Sequence, residues 1–263
     1  LQVAFDRHML ARIKGLRFCI PSFIIKMIVT QKGMMAVMKS WREEGYEIFL
    51  WGEETKEPVP VIWCHIFSRE EGEKIWSRIT EPCVFACVSG RDWNRDFSPW
   101  KADKIYGKDT DFSGGAGEYL QYFEHVILPE AEHALSFEVK DRGIVGYSMA
   151  GLFAVYAMYH SEKFGRIGSI SGSLWFDGWA DHALSHTMKA EKPVIYVSLG
   201  SREHKVRNAR MASVKKNTEL LAAHWERSCP VILESNPGGH FDDPEGRVAR
   251  GVSRLLTADK APY

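Results

Sequence analysis

Arg142-Gly143-Ile144-Val145-Gly146-Tyr147-Ser148-Met149-Ala150-Gly151-Leu152-Phe153-Ala154-Val155-Tyr156-Ala157 is the stretch whose reading decides the fold. A short apolar run ends in Gly-x-Ser-x-Ala and passes without a spacer into a helix-forming segment. This is the pattern of a strand, a sharp turn and a helix in which the turn exposes a serine. Ser148 is therefore the candidate nucleophile. Gly146 and Ala150 flank it, small enough for strained turn angles and for a helix packed close to its strand. Ala150 adds a methyl where a glycine is usual, and Gly151 beside it offers relief from the crowding. The plain alternative is a buried serine in an ordinary strand-to-helix connection.

Outward from this turn, apolar runs alternate with helical patterns. Residues 46–51 read as an alternating strand, and 59–67 and 83–88 as near-continuous apolar runs with a helical segment at 70–79 between them. Such runs suit strands covered on both faces, and strand-helix-strand recurrence predicts an α/β fold built on a parallel sheet. Apolar spacing predicts an amphipathic helix over 118–135, with Pro129 either kinking it or opening a new first turn. Further strands are expected at 167–176, 193–200 and 230–234, with helices at 149–160, 206–228 and 246–256. Between the strand at 83–88 and the helix at 118–135 lies a long loop-like region, 90–117, dense in aromatic and arginine residues. Loops of this length in compact domains are functional or disordered, and this composition favours function. Arg91, Trp93, Arg95 and Trp100, with Trp175 farther on, are the expected substrate contacts.

The chain has 263 residues, enough for one sizeable core, and 34 basic residues balance 34 acidic ones. No net field exists to gather nucleic acid or an anionic membrane, so a small-molecule substrate is expected. Nine Trp and fourteen Phe fill a core and leave aromatic lining for a pocket. The five cysteines have no C-x-x-C spacing, and three lie in apolar strand-like runs. Buried free thiols in a reducing compartment, the cytoplasm, are expected. Cys83 and Cys87 would lie on one strand face with no histidine beside them, and His182 and His186 lack a third ligand, so no metal site is expected. Residues 1–33 begin with a basic stretch and an apolar run interrupted by Pro21 and Lys26, too short to span a membrane and without a cleavage site. They are expected to form an extension with little structure, before a single domain at 34–263.

A serine hydroxyl needs a histidine to take its proton and a carboxylate to orient the imidazole. In sheets of this kind the partners follow later strands in the order serine, acid, histidine. His240, in Pro237-Gly238-Gly239-His240-Phe241 after the last strand, is the expected base. Glu203, just past the end of the 193–200 strand, is the expected acid, with Asp177, Asp242 and Asp243 as rivals. An oxyanion hole would take one N–H from Met149 and another from Ile66 or Phe67, with Ile66 preferred.

At this point the residues resemble a known family, the esterase branch of the α/β-hydrolase superfamily, which includes enterobactin-type siderophore esterases, S-formylglutathione hydrolases, feruloyl esterases and mycolyl transferases. The resemblance rests on Pro60-Val61-Ile62-Trp63, Arg95-Asp96-Phe97-Ser98-Pro99, Phe112-Ser113-Gly114-Gly115, Gly146-Tyr147-Ser148-Met149-Ala150-Gly151-Leu152, Ser171-Gly172-Ser173-Leu174-Trp175 and Gly238-Gly239-His240. It implies the α/β-hydrolase fold, a three-layer sandwich around an eight-stranded, mostly parallel sheet, with Ser148 and His240 catalytic and no cofactor. Two departures stand out: Ile66 where such enzymes carry glycine, and Ala150. The expected activity is hydrolysis of carboxylic esters through an acyl-enzyme. The alternatives are an acyltransferase using the same intermediate, or a non-catalytic binding protein whose site has decayed.

Overall fold

The apolar runs become strands and the amphipathic stretches helices in a computed structural model that describes residues 24–29, 35–90 and 92–258. The strands are β1 (Ile24–Val29), β2 (Met35–Glu43), β3 (Tyr46–Trp51), β4 (Val61–Ile66), β5 (Val84–Ser89), β6 (Lys101–Ala102), β7 (Phe112–Ser113), β8 (Arg142–Tyr147), β9 (Arg166–Ile170), β10 (Val194–Gly200) and β11 (Val231–Asn236). The helices are α1 (Arg69–Trp76), α2 (Trp93–Asp96), α3 (Ala116–Tyr122), α4 (Leu128–Glu132), α5 (Met149–His160), α6 (Trp179–Ser185), α7 (Ala209–Ala212), α8 (Val214–Trp225) and α9 (Pro244–Thr257). Within the stretch expected to carry little structure, β1 forms and pairs with β2. The rest of that stretch lies outside the described residues.

Among the described residues nine strands form one sheet in the order β1-β2-β3-β5-β4-β8-β9-β10-β11, one more than the resemblance implies, while β6 and β7 make a separate ribbon. Within the large sheet the pairs β1/β2, β2/β3 and β3/β5 are antiparallel and the rest parallel, and the β6/β7 ribbon is antiparallel. Helices α1 and α9 cover one face, joining a core of Trp51, Ile62, Ile66, Phe85 and Leu255. The other face meets α5, which packs on β8 and β9 and is buried from Met149 to Tyr159. An apolar surface all round the helix fits that central position. The result is the expected three-layer α/β sandwich.

The chain crosses from β5 on one side of β4 to β8 on the other, a reversal of the kind that opens a crevice at the carboxyl ends of parallel strands. Register brings the next ends together. Tyr147 lies opposite Ile170, Ile170 opposite Ser198, and Gly200 opposite Asn236. The loops after β8, β9, β10 and β11 therefore emerge side by side.

Two helices differ from expectation. The 118–135 helix begins at Ala116 and widens into a π turn, Phe123–Ile127, before α4. Pro129 has no N–H to give to the His125 carbonyl and its ring crowds that group, and at this point Leu128 donates to Phe123 five residues back. His125 Nδ1 bonds the Gln121 carbonyl at 2.8 Å. The 206–228 helix is two helices that meet at Ser213, where the Ser213 hydroxyl bonds the Arg210 carbonyl at 2.7 Å. Such a local side-chain bond competes with a continuous helix.

Candidate active site

Ser148 sits between β8 and α5 with φ +57° and ψ −121°, a strained conformation for a residue with a side chain. It occupies the N-cap position of α5, yet its hydroxyl makes no capping bond. An ordinary N-cap serine would accept from the first turn of the helix. Here Oγ lies 3.1 Å from His240 Nε2. The turn closes tightly: a Cβ on Gly146 would fall 2.3 Å from the carbonyl of Ala150 and 2.7 Å from its methyl. Glycine at 146 is thus what accommodates the methyl that Ala150 introduces.

His240 is carried by the loop after β11, where Gly238 has φ +96° and the Gly239 N–H donates to Asp242 Oδ2 at 2.7 Å. The Tyr147 hydroxyl donates to the His240 carbonyl and fixes the loop above the sheet. His240 Nδ1 meets Glu203 Oε2 at 2.8 Å. Glu203 is buried, and its other oxygen, Oε1, accepts from the Gly200 N–H at 2.6 Å, Ser171 Oγ at 2.7 Å and Arg247 at 3.0 Å. Burial pushes this carboxyl up, but the bonds from His240 and Ser171, the charge of His240 and the Gly200 N–H together hold it below the ordinary glutamate value. It is held as a carboxylate.

The rival acids are engaged elsewhere. Asp177 pairs with Arg210 at 2.6 Å, Asp242 braces the Gly239 turn, and Asp243 caps α9 while pairing with Arg78 at 2.6 Å. Two side chains brace Glu203, one of which, Ser171, opens the segment 171–175 quoted above, while the other, Arg247, lies in no motif. Ser171 follows β9 with φ +47°, and Arg247, buried on α9, also bonds Ser171 at 3.1 Å and the Pro237 carbonyl at 2.8 Å. A signal for Arg247 existed: it shares the stripe of α9 with Gly251 and Leu255, so a charge there faces the core.

Met149 opens α5, where the first-turn N–H groups have no intrahelical acceptor. Ile66 ends β4 with its side chain buried on the α1 face, where Gly72 makes room: a Cβ at 72 would meet Ile66 Cδ1 at 3.0 Å. Phe67, the first residue past the strand, donates its N–H to Glu71 Oε2 at 2.7 Å. Of the expected substrate contacts, Arg91 lies outside the described residues. Trp93 stacks on the exposed Phe67 with ring centroids 3.8 Å apart. Arg95 is taken up by Asp96 at 2.9 Å and Glu118 at 2.5 Å. Trp100 packs among Phe176, Trp179 and His182 and donates to the Asp177 carbonyl at 2.9 Å, and Trp175 packs on Phe112 and Phe176. His182 and His186 stack 4.0 Å apart, with His186 Nδ1 bonding the His182 carbonyl. Among the described residues no cluster of three metal-ligating side chains exists, and no helix is long and apolar enough to cross a membrane. Cys64, Cys83, Cys87 and Cys229 are buried free thiols.

Comparison with known proteins adds a family match: a model described as "Putative esterase" matches residues 75–241. The uncharacterized protein YbbA of Bacillus subtilis (strain 168) is 29% identical over 129 residues, 48% of this chain and 52% of that protein. The chain thus matches about half the length of this curated relative. Among solved structures, the siderophore hydrolase EstA from Aspergillus nidulans superposes with a TM-score of 0.66 at 18% identity, over 84% of this chain and 94% of that one. An IroE-like serine hydrolase from Shewanella oneidensis gives 0.68 at 15% identity, over 92% and 82%. At these identities the likeness is one of fold.

Proposed function

The chain belongs to the family described as "Putative esterase", and from that premise we propose that it cleaves carboxylic esters by serine catalysis through an acyl-enzyme. The observation that carries this reading is the unbroken relay from Ser148 Oγ to His240 at 3.1 Å and from His240 to Glu203 at 2.8 Å, with the far oxygen of Glu203 tied by three donors.

Ser148 Oγ attacks the ester carbonyl while His240 Nε2 takes the hydroxyl proton. Glu203 keeps the remaining imidazole proton on Nδ1 and stabilises the imidazolium. The carbonyl oxygen becomes an oxyanion facing the Met149 N–H and a second N–H at the end of β4, that of Ile66 or of Phe67. Collapse expels the alcohol, which receives the proton from His240, and leaves Ser148 acylated. Water, deprotonated by the same histidine, then releases the acid. The intact relay argues against a decayed binding protein. Siderophores, the substrates named for EstA, lead the panel of candidate esters, followed by aryl and alkyl esters.

The test is labelling by a fluorophosphonate probe, wild type beside Ser148→Ala, with p-nitrophenyl ester hydrolysis read in parallel. Labelling and turnover that both vanish in the variant are expected. A folded wild type that neither labels nor turns over any ester would end this reading.

A further inference from the structure

The loop between β4 and α1 consists of Phe67 and Ser68 alone, since β4 ends at Ile66 and α1 begins at Arg69. In this fold the second oxyanion N–H comes from the loop after this strand. The Phe67 N–H, the first beyond the strand, is already committed to the Glu71 carboxylate at 2.7 Å. Ser68 caps α1 by accepting from the Glu71 N–H at 3.4 Å. An ordinary capping box would turn the Glu71 side chain back to the N–H of Ser68 itself. Glu71 makes that contact with the backbone of Ser68 and also reaches one residue farther, onto the Phe67 N–H of the same loop.

The surroundings of Glu71 do not explain that reach as an ion pair. The cations of its own helix are engaged by other acids, Arg69 with Glu73 at 2.6 Å and Lys74 with Glu245 at 3.2 Å. Glu245 stands on the first turn of α9, close enough to add repulsion to the burial that already pushes the Glu71 carboxyl up. The Glu71 carboxyl thus rests on the backbone N–H that follows β4, the strand paired with β8, from whose end Ser148 emerges. A carboxylate oxygen on an N–H is also what an oxyanion presents to it.

We propose that Glu71 is a positioning residue that masks the second oxyanion donor in the resting protein, so that the negative charge developing on the ester's carbonyl oxygen has to displace the Glu71 carboxylate from the Phe67 N–H. The proposal rests on the serine esterase reading. It deepens that reading by making the oxyanion hole a site that substrate opens rather than one that stands ready. Displacement of this kind takes free energy from the step in which negative charge develops. It therefore lowers kcat while leaving ground-state binding, and so KM, little changed.

The experiment compares wild type with Glu71→Gln and Glu71→Ala, after fluorophosphonate labelling has shown Ser148 to be reactive in all three. An aryl boronic acid is the probe. Ser148 Oγ adds to the trigonal boron, its proton passes to His240, and a boron-bound oxygen of the anionic adduct takes the oxyanion position. Both variants are expected to bind the boronate about tenfold more tightly and to raise kcat about tenfold on a p-nitrophenyl ester with KM within twofold, because a charge-assisted bond no longer competes for the donor. The glutamine variant keeps a side chain over the loop, so it reports even if the alanine variant loosens α1. If Glu71 merely braces the loop, both variants lose kcat and bind boronate more weakly, and the proposal is overturned. Unchanged boronate affinity and kcat overturn it as well. A wild type that neither labels nor binds boronate removes the esterase reading, and this proposal with it.

Discussion

Glu203→Gln is a nearly isosteric change whose effect follows from the hydrogen bonds around the two carboxylate oxygens. Oε1 accepts from the Gly200 N–H, the Ser171 hydroxyl and Arg247, and only the Ser171 hydroxyl could reverse its direction. An amide nitrogen placed there would face two donors that cannot turn. The glutamine oxygen therefore takes the Oε1 position, and its NH2 takes the Oε2 position, 2.8 Å from His240 Nδ1. A donor at that point makes Nδ1 an acceptor and moves the imidazole proton to Nε2, which then faces Ser148 and can no longer accept its proton. Fixing the wrong tautomer in a Ser-His-acid relay lowers kcat about 10⁴-fold, which corresponds to about 5.5 kcal/mol of transition-state stabilisation. Glu203→Ala leaves the tautomer free and is expected to lose less. Steady-state hydrolysis of a p-nitrophenyl ester measures both variants, with fluorophosphonate labelling rates as a second readout. A glutamine variant within tenfold of wild type, or one clearly more active than the alanine variant, would refute the tautomer argument.

Two further variants probe the scaffold. Glu53, 3% exposed, has its carboxyl pushed up from 4.5 to about 7, mainly by burial. A carboxyl raised in the folded state contributes stability that is complete below pH 4.5 and lost as pH rises through 7, so Glu53→Gln should add about 3 kcal/mol at pH 8 and almost nothing at pH 4.5. Urea unfolding at the two pH values measures it, and a pH-independent difference would count against it. Gly72→Ala places a methyl 2.6 Å from Trp51 and 3.0 Å from Ile66 Cδ1. It should cost about 1–3 kcal/mol in unfolding free energy and lower kcat by displacing the end of β4, whereas a stable variant with unchanged kcat would show that Ile66 has slack.

The parts of the site that local pattern can specify were legible in the sequence. The run through Ser148 encodes strand, turn and helix within a few residues, and chain order was enough to choose His240 and Glu203. What escaped depends on docking between distant elements. Arg247 reaches Glu203 because α9 lies across the end of β10, and the Phe67 N–H meets Glu71 because the helix starts just two residues after the strand. The surroundings of Trp100 and Trp175 were likewise hidden. Both are half-buried and pack among neighbouring aromatic rings, and neighbours of that kind have no local code. The break at Ser213 was hidden for a similar reason, since a serine in a helical pattern does not announce which carbonyl its hydroxyl will take.

Because Arg247 belongs to α9, the nucleophile and its acid mature at different moments. On a chain emerging from the ribosome, the turn that bends Ser148 into place can form around β8, α5 and β9 while Glu203 still lacks both its histidine and its guanidinium. The hydroxyl is presented early and armed late. On the proposed reading, a nascent chain would therefore display Ser148 before the acid that serves its histidine has been braced, and undocking α9 would remove that brace while the turn around Ser148 stays in place.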